Sequence, residues 1–131
     1  DPGPNGVGFG DQVLAGTDTG NPYCLPGFSL HDELELLVRS GFTPAEALRT
    51  ATYNAATYLG QADAFGTVQE GSLADLVLLD ANPFEDIRST RRIAAVVFNG
   101  RLFTKAELAH ILTRLRSRSE KSSLMPPCTH E

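Results

Sequence analysis

Cysteine is scarce in this 131-residue chain: Cys24 and Cys128 are the only two. Neither stands in a C-x-x-C spacing, so neither a disulfide framework nor a zinc knuckle is suggested, and a reducing, cytoplasmic compartment is the expectation. Long apolar runs are absent as well. None approaches the roughly 20 residues of a membrane-spanning helix, which excludes an anchor of that kind and leaves no membrane partner expected. The opening Asp1-Pro2-Gly3-Pro4-Asn5-Gly6 has neither the basic lead nor the apolar core of a signal peptide and reads as a loop cut open. Basic charge is thin over most of the chain. Residues 1–100 hold 5 basic against 13 acidic side chains and the net charge is −5, which argues against a nucleic-acid partner. There is no internal repeat. The three histidines, His31, His110 and His130, are too far apart in sequence for the i, i+4 pair of a helical metal site.

What is present is an ordinary globular mixture, 41% hydrophobic and 21% charged, long enough for one buried core. Gln12-Val13-Leu14-Ala15 is a short apolar run ended by Gly16-Thr17-Asp18-Thr19-Gly20, the pattern of a buried strand opening into a turn. Ser29 stands where an N-cap would. Leu30, Leu34, Leu37 and Val38 follow at helical spacing and predict an amphipathic helix ended by Gly41. Thr43-Pro44-Ala45-Glu46 is a capping box with proline at the first helical position, and it predicts a helix over roughly residues 44–52. Asn54 is placed to cap a shorter helix that Gly60 ends. From Gly66 the period changes, and Thr67-Val68-Gln69, Ala74 to Asp80 and Ile93 to Phe98 read as strands. Asn99-Gly100 predicts a hairpin, because a type I′ turn needs two residues that tolerate positive φ. A second capping box, Thr104-Lys105-Ala106-Glu107, opens a helix whose stripe is Leu108, Ile111, Leu112 and Leu115. Past Ser117 no period remains and a disordered tail is expected.

Most motifs have a plain structural reading. Gly27-Phe28-Ser29-Leu30-His31 lacks the second glycine of a nucleophile elbow. Gly6, Gly8 and Gly10 have no strand before them and no helix directly after, so they read as loop rather than as a dinucleotide site. Arg114, Arg116, Arg118 and Lys121 lack interleaved aromatics and read as a solvated helix end. Cys24 has no histidine beside it to act as base and reads as a thiol packed in its loop. Thr52, Asn54 and Asp75 are small polar residues suited to satisfying backbone groups at a helix break and a strand start. Asp18 carries more. It falls at the C-terminal end of the predicted strand, where α/β barrels gather catalytic groups, although an Asp after a strand can equally shape a turn. His31, in the first turn of the next helix, reads either as a solvated or capping histidine or as a substrate contact.

The order of several motifs says more than any one of them: L-A-G-T-D-T-G (14–20), F-S-L-H-D-E-L-E-L-L (28–37), G-F-T-P-A-E-A-L-R-T-A-T-Y-N-A-A (41–56), G-T-V-Q-E-G-S-L-A-D-L-V-L-L-D-A-N-P (66–83) and V-V-F-N-G-R (96–101). Together they resemble the C-terminal part of amidohydrolase-superfamily enzymes, nearest to imidazolonepropionase-like and Xaa-Pro dipeptidase-like metal-dependent hydrolases. The resemblance implies an α/β fold. Residues 1–65 would be the end of a (β/α)8 barrel, its last strand and following helices; 66–103 the C-terminal strands of a small β-sandwich; 104–131 a terminal helix and disordered tail.

The same resemblance implies hydrolysis of a C–N bond, amide or cyclic amide, in a small-molecule substrate through a metal-activated water. The cofactor would be a divalent metal, with zinc expected. Asp18 matches the carboxylate that ends the last barrel strand and would be both metal ligand and proton acceptor. His31 matches a histidine of the family pattern and would bind substrate. The remaining ligands, an H-x-H pair, a Lys or acidic bridge and two further His, would lie upstream of residue 1, so residues 1–131 alone are expected to be inactive. A homo-oligomer is compatible with this reading. The alternative is a non-catalytic interaction or scaffold module that keeps the terminal fold, which metal content of the complete protein would separate from an enzyme. Ester or lactone hydrolysis on the same site differs only in the leaving group.

Overall fold

A computed structural model describes residues 13–18, 24 and 26–123 of the chain. Its first helix, α1 (Ser29–Arg39), forms as the leucine spacing predicts, and Leu34 on its inner face is only 3% exposed. Ser29 is not its cap. Phe28 ahead of it already has helical dihedrals (φ −92, ψ −43), and the His31 amide bonds Phe28 O at 3.2 Å, so the extended cap conformation is lost to the turn at 26–28.

Helix α2 (Pro44–Thr50) carries the capping box in full: Thr43 Oγ1 accepts the Glu46 amide at 3.3 Å and Glu46 Oε2 accepts the Thr43 amide at 2.7 Å. Helix α3 (Tyr53–Tyr58) follows at once. Asn54 lies inside it rather than at its cap, because Thr52 occupies that position. Being 5% exposed, Asn54 is turned to another use and donates from Nδ2 to Val13 O at 3.1 Å. The core forms where Leu34 of α1, Ala47 of α2 and Ile87 meet, bordered by Leu37, Val38, Phe42, Leu48 and Ala51.

The strand expected at 12–15 does not form in the part described, 13–15; Gln12 lies outside the described residues. The physical reason is where its backbone groups go. Ala15 N donates to Thr50 O at 3.1 Å and Val13 O accepts from Asn54, so helices take bonds that a neighbouring strand would have taken. Nor do residues 67–69 form a strand. Val68 is 86% exposed, and the segment is bent at both ends by Gly66 (φ 96) and Gly71 (φ 87).

Three strands do pair, in the antiparallel order β1-β2-β3: β1 (Leu76–Leu79), β2 (Ile93–Phe98) and β3 (Arg101–Thr104). Val77 faces Val96 and Val96 faces Phe103, with a register irregularity at Leu78/Leu79. The β2–β3 turn is Asn99-Gly100 with φ 49 and 74, the two positive values that a type I′ turn requires. Asp75 Oδ1 accepts the Asn99 amide at 2.6 Å, which bears out its structural role. Between β1 and β2 lies a 3-10 turn, Ile87–Arg91, that no periodicity in the sequence marks. Asp86 starts it by accepting the Arg88 amide at 3.0 Å, and Ile87 plugs the core.

The last helix, α4 (Lys105–Ser123), begins with the expected box, Glu107 Oε2 accepting the Thr104 amide at 2.8 Å. It continues past Ser117, where disorder was expected. Arg, Glu and Lys are good helix formers, so the backbone can stay helical where the apolar period ends. Residues 124–131, with Cys128 and His130, lie outside the described residues, as do Gly6, Gly8 and Gly10. No helix among the described residues is long and apolar enough to cross a membrane.

Candidate active site

Asp18 is exposed and has φ 48, a left-handed backbone that L-residues seldom adopt and that surrounding structure must impose. Asp tolerates it better than most. The segment before it is held by three helices in turn: by Asn54 of α3 at Val13 O, by Thr50 of α2 at the Ala15 amide, and by Glu33 of α1, whose Oε1 accepts the Gly16 amide at 2.8 Å. Thus the helices after Asp18 in sequence fix the chain before it. Gly16 and Thr17 border a cleft of about 300 Å³ shared with Cys24, Asp32 and Glu33. Cys24 is a half-buried free thiol there.

His31 is directed elsewhere. Its Nδ1 lies 3.1 Å from Thr90 Oγ1, and it lines a second cleft, of about 650 Å³, with Phe28, Arg91, Ile93, Val96 and Leu108. Burial lowers its pKa below the ordinary histidine value, and the Arg91 charge lowers it further, against the opposing pull of Asp32 and Glu35. Arg91 itself binds Glu35 Oε1 at 3.1 Å through Nε and reaches Asp32 through Nη2, tying the 3-10 turn to α1. The clefts at Gly16–Thr17 and at His31 therefore have different walls.

Glu33, Thr90 and Arg91 were not singled out from the sequence. Glu33 had a faint signal, an acidic residue amid Asp32 and Glu35 on a helix with one buried face; Thr90 and Arg91 had none.

The amidohydrolase family model matches residues 6–103. The chain belongs to the amidohydrolase family. It is 39% identical over 99 residues to ochratoxinase of Aspergillus niger, covering 72% of this chain and 20% of that one. It is 40% identical over 90 residues to imidazolonepropionase of Deinococcus deserti, covering 68% and 22%. Among solved structures, a prolidase-like chain from Bifidobacterium longum superposes with a TM-score of 0.65 and 36% identity over 79% of this chain and 27% of that one. The chain thus spans about a fifth of the length of the curated relatives it matches.

Proposed function

We propose that the chain is the C-terminal part of an amidohydrolase that cleaves a carbon–nitrogen bond, amide or cyclic amide, in a small molecule. The observation that carries this is Asp18: an exposed carboxylate in a left-handed backbone, at the end of a segment pinned by three helices, within the L-A-G-T-D-T-G motif that resembles the family's last-strand aspartate. The water oxygen attacks the carbonyl carbon and its proton passes to the Asp18 carboxylate. The same proton then leaves with the nitrogen as the C–N bond breaks. His31, its Nδ1 engaged by Thr90, lines a separate cleft and takes no part in this step.

The fit to a divalent metal is partial. Asp18 could supply one oxygen ligand, but no group of three His, Cys, Asp or Glu among the described residues could hold an ion. The other ligands would come from outside them. A divalent metal, zinc in the resemblance, would make the attacking water more acidic, towards a pKa of ~7. The part assigned to this chain is the proton transfer at Asp18.

Asp18→Asn in the complete protein tests the reading. The amide keeps the shape and loses the proton acceptor, so kcat should fall about 10²–10⁴-fold while KM changes little, with bound metal assayed alongside. Full kcat at full metal occupancy would leave Asp18 as a turn residue and overturn the assignment.

A further inference from the structure

We infer that Glu33 is a positioning residue for Asp18, an inference that rests on the catalytic reading of Asp18 above. Of the three contacts that hold the approach to Asp18, the Glu33 Oε1 bond to the Gly16 amide is the shortest, at 2.8 Å against 3.1 Å for the other two. It is also the one nearest to Asp18 along the chain, and it needs an acceptor oxygen at the reach of a glutamate side chain. Two residues further on, the backbone turns to φ 48.

Glu33 is well placed to impose that geometry because its own helix cannot shift. The next residue, Leu34, is 3% exposed and packed with Ala47 and Ile87, so sliding or rotating α1 would pull a leucine from the core. Glu33 Oε2 is buried and has no hydrogen-bond partner among the described residues, so the carboxylate is committed to Gly16 through one oxygen. The role inferred for Glu33 thus runs through the backbone of the approach. Glu33 fixes where the Asp18 backbone stands, and misplacement of a catalytic group by about 1 Å can cost on the order of 10²-fold in rate.

The test uses Glu33→Asp and Glu33→Gln in the complete protein, alone and with Asp18→Asn. Aspartate keeps the charge but falls one methylene short of Gly16; glutamine keeps the reach and an acceptor oxygen. Glu33→Asp should lower kcat by about 10- to 100-fold with little change in KM, while Glu33→Gln retains clearly more activity. In the Asp18→Asn background Glu33→Asp should cost almost nothing further, because it acts only through Asp18. An equal loss in both backgrounds overturns the inference, and so does a Glu33→Gln that falls as far as Glu33→Asp. Wild-type turnover in Glu33→Asp with Asp18→Asn crippled removes Glu33 alone, whereas full turnover in Asp18→Asn removes the reading of Asp18 itself. Should Glu33→Asp not fold, a tenfold or greater loss in Glu33→Gln overturns the inference.

Discussion

Thr90 gives its hydroxyl proton to Ile87 O at 2.8 Å, so its oxygen is left to accept from His31 Nδ1 at 3.1 Å. The hydrogen-bond network thereby assigns the neutral ring with its hydrogen on Nδ1 and its basic site on Nε2. A pKa below the ordinary histidine value, set first by burial and then by Arg91, means that the unfolded chain binds a proton more readily than the folded one. Stability from this group is present above the unfolded pKa and is lost as pH falls towards the folded value. Denaturant unfolding between about pH 8 and pH 5 should therefore show stability declining with acidification, and His31→Asn, which keeps a donor towards Thr90, should flatten that part of the decline. An unchanged slope in the variant would remove His31 as its source. At this scale Asp18 and His31 were nameable as candidates because each sits within a local motif. Glu33, Thr90 and Arg91 were not, because their partners lie 17, 59 and 56 residues away in the chain.

The elements divide along the same line of local against distant cause. Both capping boxes and the Asn99-Gly100 hairpin are set by residues within a few positions of one another, and all three form as read. The strands read at 13–15 and 67–69 depended on neighbours that short apolar runs cannot reveal, and the 3-10 turn at Ile87–Arg91 follows from an Asp86 bond that no periodicity marks. Gly66 belongs to the distant kind. A Cβ there would lie 2.7 Å from Ala56 Cβ and 3.1 Å from Thr52 O, so the loop after α3 rests on that helix only because the position is glycine. Gly71 shares its positive φ, 87 against 96, but a Cβ there would meet nothing within 4 Å. Gly66→Ala should thus destabilise by backbone strain plus overpacking, the latter typically about 1–3 kcal/mol, and Gly71→Ala by strain alone. Comparing their denaturant midpoints isolates the contact, and equal losses would show that Ala56 and Thr52 give way without cost.

At the scale of the whole chain the three-stranded sheet leaves much apolar surface open. Val77 and Leu78 of β1 are 58% and 63% exposed, Phe98 at the end of β2 is 62% exposed, and Leu102 of β3 is 56% exposed. Among the described residues no strand pairs with the outer edge of β1, so unpaired backbone groups and apolar side chains share one margin. Hydrophobic edges recruit other chains, and native proteins blunt them with short strands and irregular register, both present in β1, and with charge. This β1 carries none, since its four residues are Leu-Val-Leu-Leu. The bordering Asp75 and Asp80 are engaged with Asn99 and Lys105. A polypeptide of residues 1–131 made by itself should therefore associate as its concentration rises, read as a growing sedimentation coefficient. Val77→Lys places a charge in the middle of the edge and should shift the distribution towards the monomer. Sedimentation of the unaltered chain as a monomer at every concentration would show that the exposed margin of β1 is not adhesive, and the same distribution with and without Val77→Lys would place the contact elsewhere.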